Sequence, residues 1–281
     1  MANDIHWFPG HMNKALHEVE EKIKMMDVII ELLDARAPLS SVNERLEKAT
    51  AHKKKLFLIT KADLADEKQT QLWMKHFMSQ DSEVLVVNLT NKNAYNSIAN
   101  AVIRLGKSKW QKEMARGMKP QPIRTMIIGI PNVGKSSLIN LLAKRKAAGV
   151  QNKPGYTRGE QWIRVNKDFM LLDTPGILPM SYENKEKAAN LALIGSIRED
   201  ILPNHDLVSY LLDELKYHYP DALKERFDIS EITSYEDVIR AISIRRGLLT
   251  SNGGYALEKA ESLLLKEFKD GLLGRITLEW L

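Results

Sequence analysis

Six short apolar runs, at residues 28–33, 56–60, 84–87, 125–130, 161–165 and 169–173, punctuate the chain. Several are apolar at almost every position rather than at alternate ones, which predicts strands covered on both faces rather than strands with one wet side. Between them apolar residues recur at three- and four-residue intervals over 14–25, 67–78, 94–106 and 135–144, the spacing of amphipathic helices. Strands alternating with helices predict an α/β fold, a doubly wound and mostly parallel sheet. The stretch 106–122 is polar and basic and closes with Pro120 and Pro122. It reads as a connector between two halves of one sheet. From about residue 182 the strand pattern stops, and the spacing predicts four or five packed helices with turns at Pro220 and at Asn252-Gly253-Gly254. The expected division is a sheet domain over 1–180, with an N-terminal arm over 1–13, and an all-α domain over 181–281.

Composition narrows the class. With 281 residues, 44% hydrophobic and 27% charged, the chain is an ordinary globular one. It has no cysteine, which excludes disulfide scaffolds, thiolate zinc sites and cysteine nucleophiles. No apolar run reaches the roughly 18 residues of a membrane span, and the N-terminus lacks a basic-then-apolar signal design. A soluble, cytoplasmic protein is expected. The net charge of +5 is unevenly spread: residues 101–179 hold 15 Lys/Arg against 4 Asp/Glu, whereas residues 180–281 hold 13 against 18. A positive middle third suits a polyanion, either nucleotide phosphate or RNA, or else is a solvated basic face.

Inside that positive block, Gly129-Ile130-Pro131-Asn132-Val133-Gly134-Lys135-Ser136 matches the G-x-x-x-x-G-K-[ST] phosphate loop. The apolar run before it and the helical pattern after it supply the strand–loop–helix setting that the motif needs. Glycines let the backbone curl so that N–H groups face phosphates, and the helix N-terminus adds partial positive charge. Asn132, Val133, Gly134, Lys135, Ser136 and Ser137 are the candidate phosphate ligands. Lys135 is placed to neutralise the β- and γ-phosphates and Ser136 to ligate Mg²⁺. The plainer alternative is a glycine-rich strand-to-helix turn.

Two further segments suit the same ligand. Asp173-Thr174-Pro175-Gly176 follows the last apolar run. An aspartate there can reach Mg²⁺ through water, and the Gly176 N–H can contact the γ-phosphate; alone the tetrapeptide is also a β-turn. In Lys153-Pro154-Gly155-Tyr156-Thr157-Arg158 the Thr157 hydroxyl can complete the Mg²⁺ shell, or the segment is a surface turn.

A base-reading element stands earlier in the chain. The run 56–59 leads into Thr60-Lys61-Ala62-Asp63, which resembles the guanine-reading Asn-Lys-x-Asp. A carboxylate at Asp63 can accept from guanine N1–H and its amino group, a pair that adenine lacks. The Lys61 stem can lie on the purine face. Thr60 departs from the motif, keeping a hydroxyl but losing the amide fork. Asn88 and Leu89, after the run at 84–87, could contact the base through their backbone or form a simple strand-end turn. GTP is expected over ATP. This element precedes the phosphate loop by about 70 residues, the reverse of the usual GTPase order. A parallel sheet tolerates that if the old termini are joined and a new break is opened.

With these motifs the chain resembles the circularly permuted GTPases, and among them the ribosome biogenesis GTPase A family. The resemblance also rests on Trp7-Phe8-Pro9-Gly10-His11-Met12, Asp34-Ala35-Arg36-Ala37-Pro38, Arg246-Gly247-Leu248 and Gly274-Arg275-Ile276-Thr277. It implies a GTP-hydrolysing factor, converting GTP to GDP with Mg²⁺, that acts late in assembly of the large (50S) ribosomal subunit. Slow alone, it would be accelerated by the particle and would touch rRNA and ribosomal proteins as a monomer. The glutamine position after Asp-x-x-Gly is Ile177, which cannot orient water. The resemblance points instead to His11, whose imidazole can hold a water near neutral pH. Asn132 resembles the asparagine that ligates K⁺ in potassium-activated GTPases, or it merely braces the loop. The Asp34–Pro38 motif is either a salt-linked strand-end turn or a ribosome-facing element. Arg240, Arg245 and Arg246, with Lys259, Lys266 and Lys269, either touch rRNA phosphates or decorate a solvated face. Two other readings stand beside the leading one: a GTP-gated RNA-binding placeholder with incidental hydrolysis, and a P-loop ATPase of nucleic-acid metabolism.

Overall fold

Strand β1 (Val28–Asp34) is buried along its whole length, Glu31 and Asp34 included. It lies inside a six-stranded sheet, which is why five of its seven residues are apolar rather than alternate ones. In this computed structural model the order across the sheet is β3 (Ser82–Val86), β2 (Lys54–Thr60), β1, β4 (Ile123–Gly129), β6 (Phe169–Leu172) and β5 (Trp162–Arg164). Every neighbouring pair is parallel except β5 with β6. The structure describes residues 10–143, 162–172, 184–197, 202–231 and 233–281, without the side chains of 10–15.

The sheet is covered on both sides. Helices α1 (Gly10–Ile23), α2 (Glu44–Thr50) and α3 (Glu67–Phe77) pack on the face carrying Ile29, Leu33, Phe57, Met126 and Ile128. Helices α4 (Ala94–Ala115) and α5 (Lys135–Ala143) pack on the face carrying Val28, Ile30, Leu56 and Ile127. All six expected strands are present. The short helix α2 was not expected, because seven residues are too few for a periodic signal. Its start is fixed by Asn43, whose side-chain oxygen accepts from the amides of Arg45 and Leu46.

The connector expected over 106–122 is largely helix instead: α4 continues without a break to Ala115. Gly106 is no helix breaker there. A Cβ at that position would lie 2.3 Å from Ile123 Cδ1, so the glycine lets α4 cross close over β4. Beyond it, Lys109 and Glu113 pair at 3.0 Å, and Lys109 and Trp110 both donate to the Gln121 carbonyl. These contacts reward the helical turns that composition alone disfavoured.

Among the described residues, five helices follow the sheet: α6 (Lys185–Leu193), α7 (Asn204–His218), α8 (Ala222–Phe227), α9 (Tyr235–Arg245) and α10 (Leu257–Lys269). Their buried side chains form one continuous cluster with those of the sheet. The last residues return to the sheet's edge loops: Ile276 N donates to Leu64 O and Leu278 N to Arg36 O, while the Trp73 indole donates to Glu279 O. Among the described residues no helix is long and apolar enough to cross a membrane.

Candidate functional site

The carboxyl ends of β4, β1 and β2 stand in a row, Gly129 opposite Leu32 and Asp34 opposite Thr60. Open parallel sheets bind ligands at such an edge. At the end of β4 the backbone turns through Gly129, where a Cβ would meet Leu32 O and Val133 Cγ1, both at 3.1 Å. Asn132 at φ 58° and Gly134 at φ 110° then take conformations that curl the loop. Lys135 Nζ folds back over it, 3.0 Å from Gly129 O and 2.8 Å from Ile130 O. Ser136 and Ser137 are exposed in the first turn of α5. A loop curled at Asn132 and Gly134, crossed by an ammonium group and leading into a helix N-terminus, has the features that suit a phosphate cradle.

The base-reading candidates meet this cradle. The Thr60 hydroxyl donates to Val133 O at 2.8 Å and contacts Leu33 O at 3.1 Å. The loop after β4 therefore arches across the end of β1 and rests on the end of β2, about 10 Å away by strand spacing. Lys61 follows with φ 56°, and Asp63 is exposed on a single tight turn, Ala62–Leu64. Leu89 also reaches the phosphate loop: a Cβ on Gly134 would lie 3.0 Å from Leu89 Cδ1. Asn88 uses its side chain locally, accepting from Thr90 N at 2.9 Å and Thr90 Oγ1 at 2.6 Å.

Of the other candidates, Thr157, Asp173 and Gly176 lie outside the described residues. His11 falls in the first turn of α1, and its side chain is outside them too.

Sequence reasoning missed the role of Asp34 within this edge. Its carboxylate is fully buried and takes Arg36 in a two-pronged pair, at 3.0 and 2.9 Å, and Lys61 Nζ at 2.9 Å. Burial alone would raise its pKa, but the two cations outweigh that and hold it below the usual range. Arg36 in turn donates to Ile194 O and Lys269 O of the helical region. The salt-linked turn anticipated for this motif is present, with Lys61 and the helical region joined to it. The only signal in the sequence was an acid–base pair placed directly after a strand.

Other basic candidates are engaged within the fold. Arg245 pairs with Asp228 at 2.7 Å. Arg246 lies 3.5 Å from Glu267 and over the Phe227 ring. Arg240, Lys259 and Lys266 are exposed.

Residues 124–243 match the family model described as 50S ribosome-binding GTPase. Over 278 residues the chain is 42% identical to the ribosome biogenesis GTPase A of Bacillus cereus, covering 98% of this chain and 93% of that one. The chain belongs to the ribosome biogenesis GTPase A family. The Bacillus pumilus member is 40% identical, covering 98% of both chains, and the Thermotoga maritima member 29% identical, covering 97% and 93%. Among solved structures, GDP-bound YlqF superposes with a TM-score of 0.64 at 25% identity, over 94% of this chain and 98% of that one. The GNP-bound YlqF of T. maritima gives the same TM-score at 24% identity, over 95% and 98%. As a member of this family the chain hydrolyses GTP and serves ribosome assembly. The sheet is that of a P-loop GTPase, and the candidate base-reading loop, which comes earlier in the chain than the phosphate loop, meets it where β2 ends beside Val133.

Proposed function

We propose that this GTPase acts on the large (50S) ribosomal subunit, depends on Mg²⁺, and hydrolyses GTP slowly until the particle completes its catalytic site. The supporting observation is the Thr60–Val133 hydrogen bond, which holds the base-reading loop beside the phosphate cradle. One nucleotide can then be gripped at both ends. Asp63, exposed and facing no described ion-pair partner, accepts from the N1–H and amino group of guanine. The Lys61 stem lies along the ring, and Asn88 and Leu89 border it. Lys135 and the amides of Asn132, Val133, Gly134, Ser136 and Ser137 take the phosphates, with Gly176 at the γ-phosphate.

Ser136, exposed directly after Lys135 at a helix N-terminus, fits a hydroxyl ligand of Mg²⁺, with Thr157 and Asp173 as the further ligands. A bound Mg²⁺ neutralises charge building on the β- and γ-phosphates. Asn132 donates its amide nitrogen to Gly195 O at 2.8 Å, which leaves its amide oxygen for K⁺.

His11 is the group that orients the attacking water. Helix α1 leads through a short turn into β1 and packs on it through Leu16, Val19, Ile23 and Ile29. A helix joined this way runs antiparallel to its strand. At about 1.5 Å per residue, its 14 residues span about the length of β1. The first turn, with His11, is thereby carried toward the carboxyl edge of the sheet, where the nucleotide binds.

For rRNA, α4 offers exposed Lys107 and Lys112, followed by Arg116 and Lys119, and the helical domain of 181–281 offers Arg240, Lys259 and Lys266. Phosphate contacts of this kind weaken steeply with salt. The protein works as a cytoplasmic monomer alongside rRNA and ribosomal proteins. The test is turnover of GTP and of ATP, measured side by side with and without purified 50S particles. GTP turnover that rises with the particle, with ATP inert in both conditions, is the expected result. Particle-independent turnover or equal use of ATP overturns the reading.

A further inference from the structure

The base-reading loop is held from outside the sheet, by residues more than 200 positions away. Arg275 Nε donates to Ala65 O at 2.8 Å and its Nη2 to Ala62 O at 2.9 Å, while Nη1 lies 3.3 Å from Glu67. Ile276 N donates to Leu64 O at 3.0 Å. Gly271 packs so close that a Cβ there would lie 2.6 Å from Leu64 Cδ2. From the other side Asp34 holds Lys61 Nζ at 2.9 Å, and its second cation, Arg36, is anchored on Ile194 O and Lys269 O. The carbonyls of Ala62, Leu64 and Ala65 and the ammonium of Lys61 are therefore fixed by partners that belong to, or are anchored on, the helical region. A three-residue turn such as Ala62–Leu64 has little of its own to set its shape. Asp63, in the middle of it, is aimed by these neighbours.

We propose that Arg275 and Asp34 are positioning residues for the guanine-reading loop, so that affinity for the base depends on the helical region being seated against the sheet. This rests on the reading of Lys61 and Asp63 as the guanine contacts. Linkage makes the effect mutual: bound guanine nucleotide steadies the seating of the helical region, and a partner that shifts that region loosens the base. The phosphate cradle of Gly129–Ser136 makes none of these contacts with Arg275, its own tie to the helical region being Asn132 to Gly195 O, so the effect of Arg275 falls on the base end of the ligand.

The test compares GDP and ADP binding to the full-length chain by calorimetry, for the wild type and for Arg275→Ala, Asp34→Asn and Asp63→Asn. Arg275→Ala is expected to weaken GDP about tenfold, a usual size for coupling between sites, and to leave ADP unchanged. Asp34→Asn should act in the same direction. It removes a buried charge and can fail to fold; Arg275, half exposed at the surface, keeps the question open to measurement. Asp63→Asn is expected to abolish the preference for GDP, and Arg275→Ala should change the GDP/ADP ratio no further in that background. If Asp63→Asn leaves the preference intact, the base-site reading itself falls. If Asp63→Asn abolishes it while Arg275→Ala leaves GDP binding within twofold, or weakens GDP and ADP equally, the positioning role is overturned and the base site stands.

Discussion

Thr60 and Val133, 73 positions apart, are joined by a 2.8 Å hydrogen bond from hydroxyl to carbonyl. One residue ends the second strand and the other lies within the phosphate loop. This contact gives a concrete role to the threonine that stands where the candidate base-reading motif has asparagine: a single hydroxyl braces the loop after β4. Thr60→Val keeps the shape and removes the donor. It should lower stability by about 1–2 kcal/mol and weaken GDP binding, whereas Thr60→Ser should stay close to wild type. Denaturant unfolding and calorimetry of the three proteins read this directly; equal midpoints for Val and Ser would contradict it.

Glu31 sets up a pH dependence of stability. It is fully buried in β1, and burial pushes its carboxyl up to about 7 against the partial relief given by Lys55 at 3.8 Å. One of its oxygens has no hydrogen-bond partner. A raised folded-state pKa means that the folded chain holds a proton that the unfolded chain has released. The associated stability is present below about pH 4.5 and is lost as pH rises to about 7. Glu31→Gln should remove this loss, stabilising the protein at pH 8 relative to pH 5 by an amount on the order of 3 kcal/mol. Urea midpoints at the two pH values measure it, and a mutant that tracks the wild type at both would refute it.

Gly106 allows α4 to lie against β4. Gly106→Ala gains about 1 kcal/mol of helix propensity but places a Cβ 2.3 Å from Ile123 Cδ1 and 2.7 Å from Cγ1. Ile123 is fully buried, so overpacking of about 1–3 kcal/mol should win. Ile123→Val removes Cδ1, and in that background the cost of Gly106→Ala should shrink. A double-mutant cycle with no coupling would count against the packing account.

His11→Ala should retain GDP and GTP binding and lose at least about 100-fold in single-turnover hydrolysis on the 50S particle, the scale of general acid–base help. Hydrolysis at the wild-type rate would remove His11 from the mechanism.

The strands were legible because a mostly parallel sheet buried on both faces leaves short runs that are apolar at almost every position, and the phosphate loop was legible because its glycines and lysine are local requirements. What could not be read was long-range. Gly106 looked like a break in α4 because its reason for being glycine is Ile123, on another element. Thr60 looked like a weakened motif because Val133 is distant in sequence. Arg275 sits 210 positions from Ala65 and carries no periodic or compositional signature of that contact. The Asp34–Arg36 pair was visible as chemistry, but its third member, Lys61, came from a different strand end.

If Lys61 and Asp63, early in the chain, read the base of a nucleotide whose phosphates sit on the later Gly129–Ser136 loop, the enzyme must distinguish guanine from adenine through Asp63. Competition tests it most directly: hydrolysis of GTP by the wild type and by Asp63→Asn, each with an equal concentration of ATP. Wild-type turnover of GTP should be untouched by ATP, and in Asp63→Asn the two nucleotides should compete on equal terms. Equal competition in the wild type, or an undiminished preference for GTP in Asp63→Asn, would contradict the account.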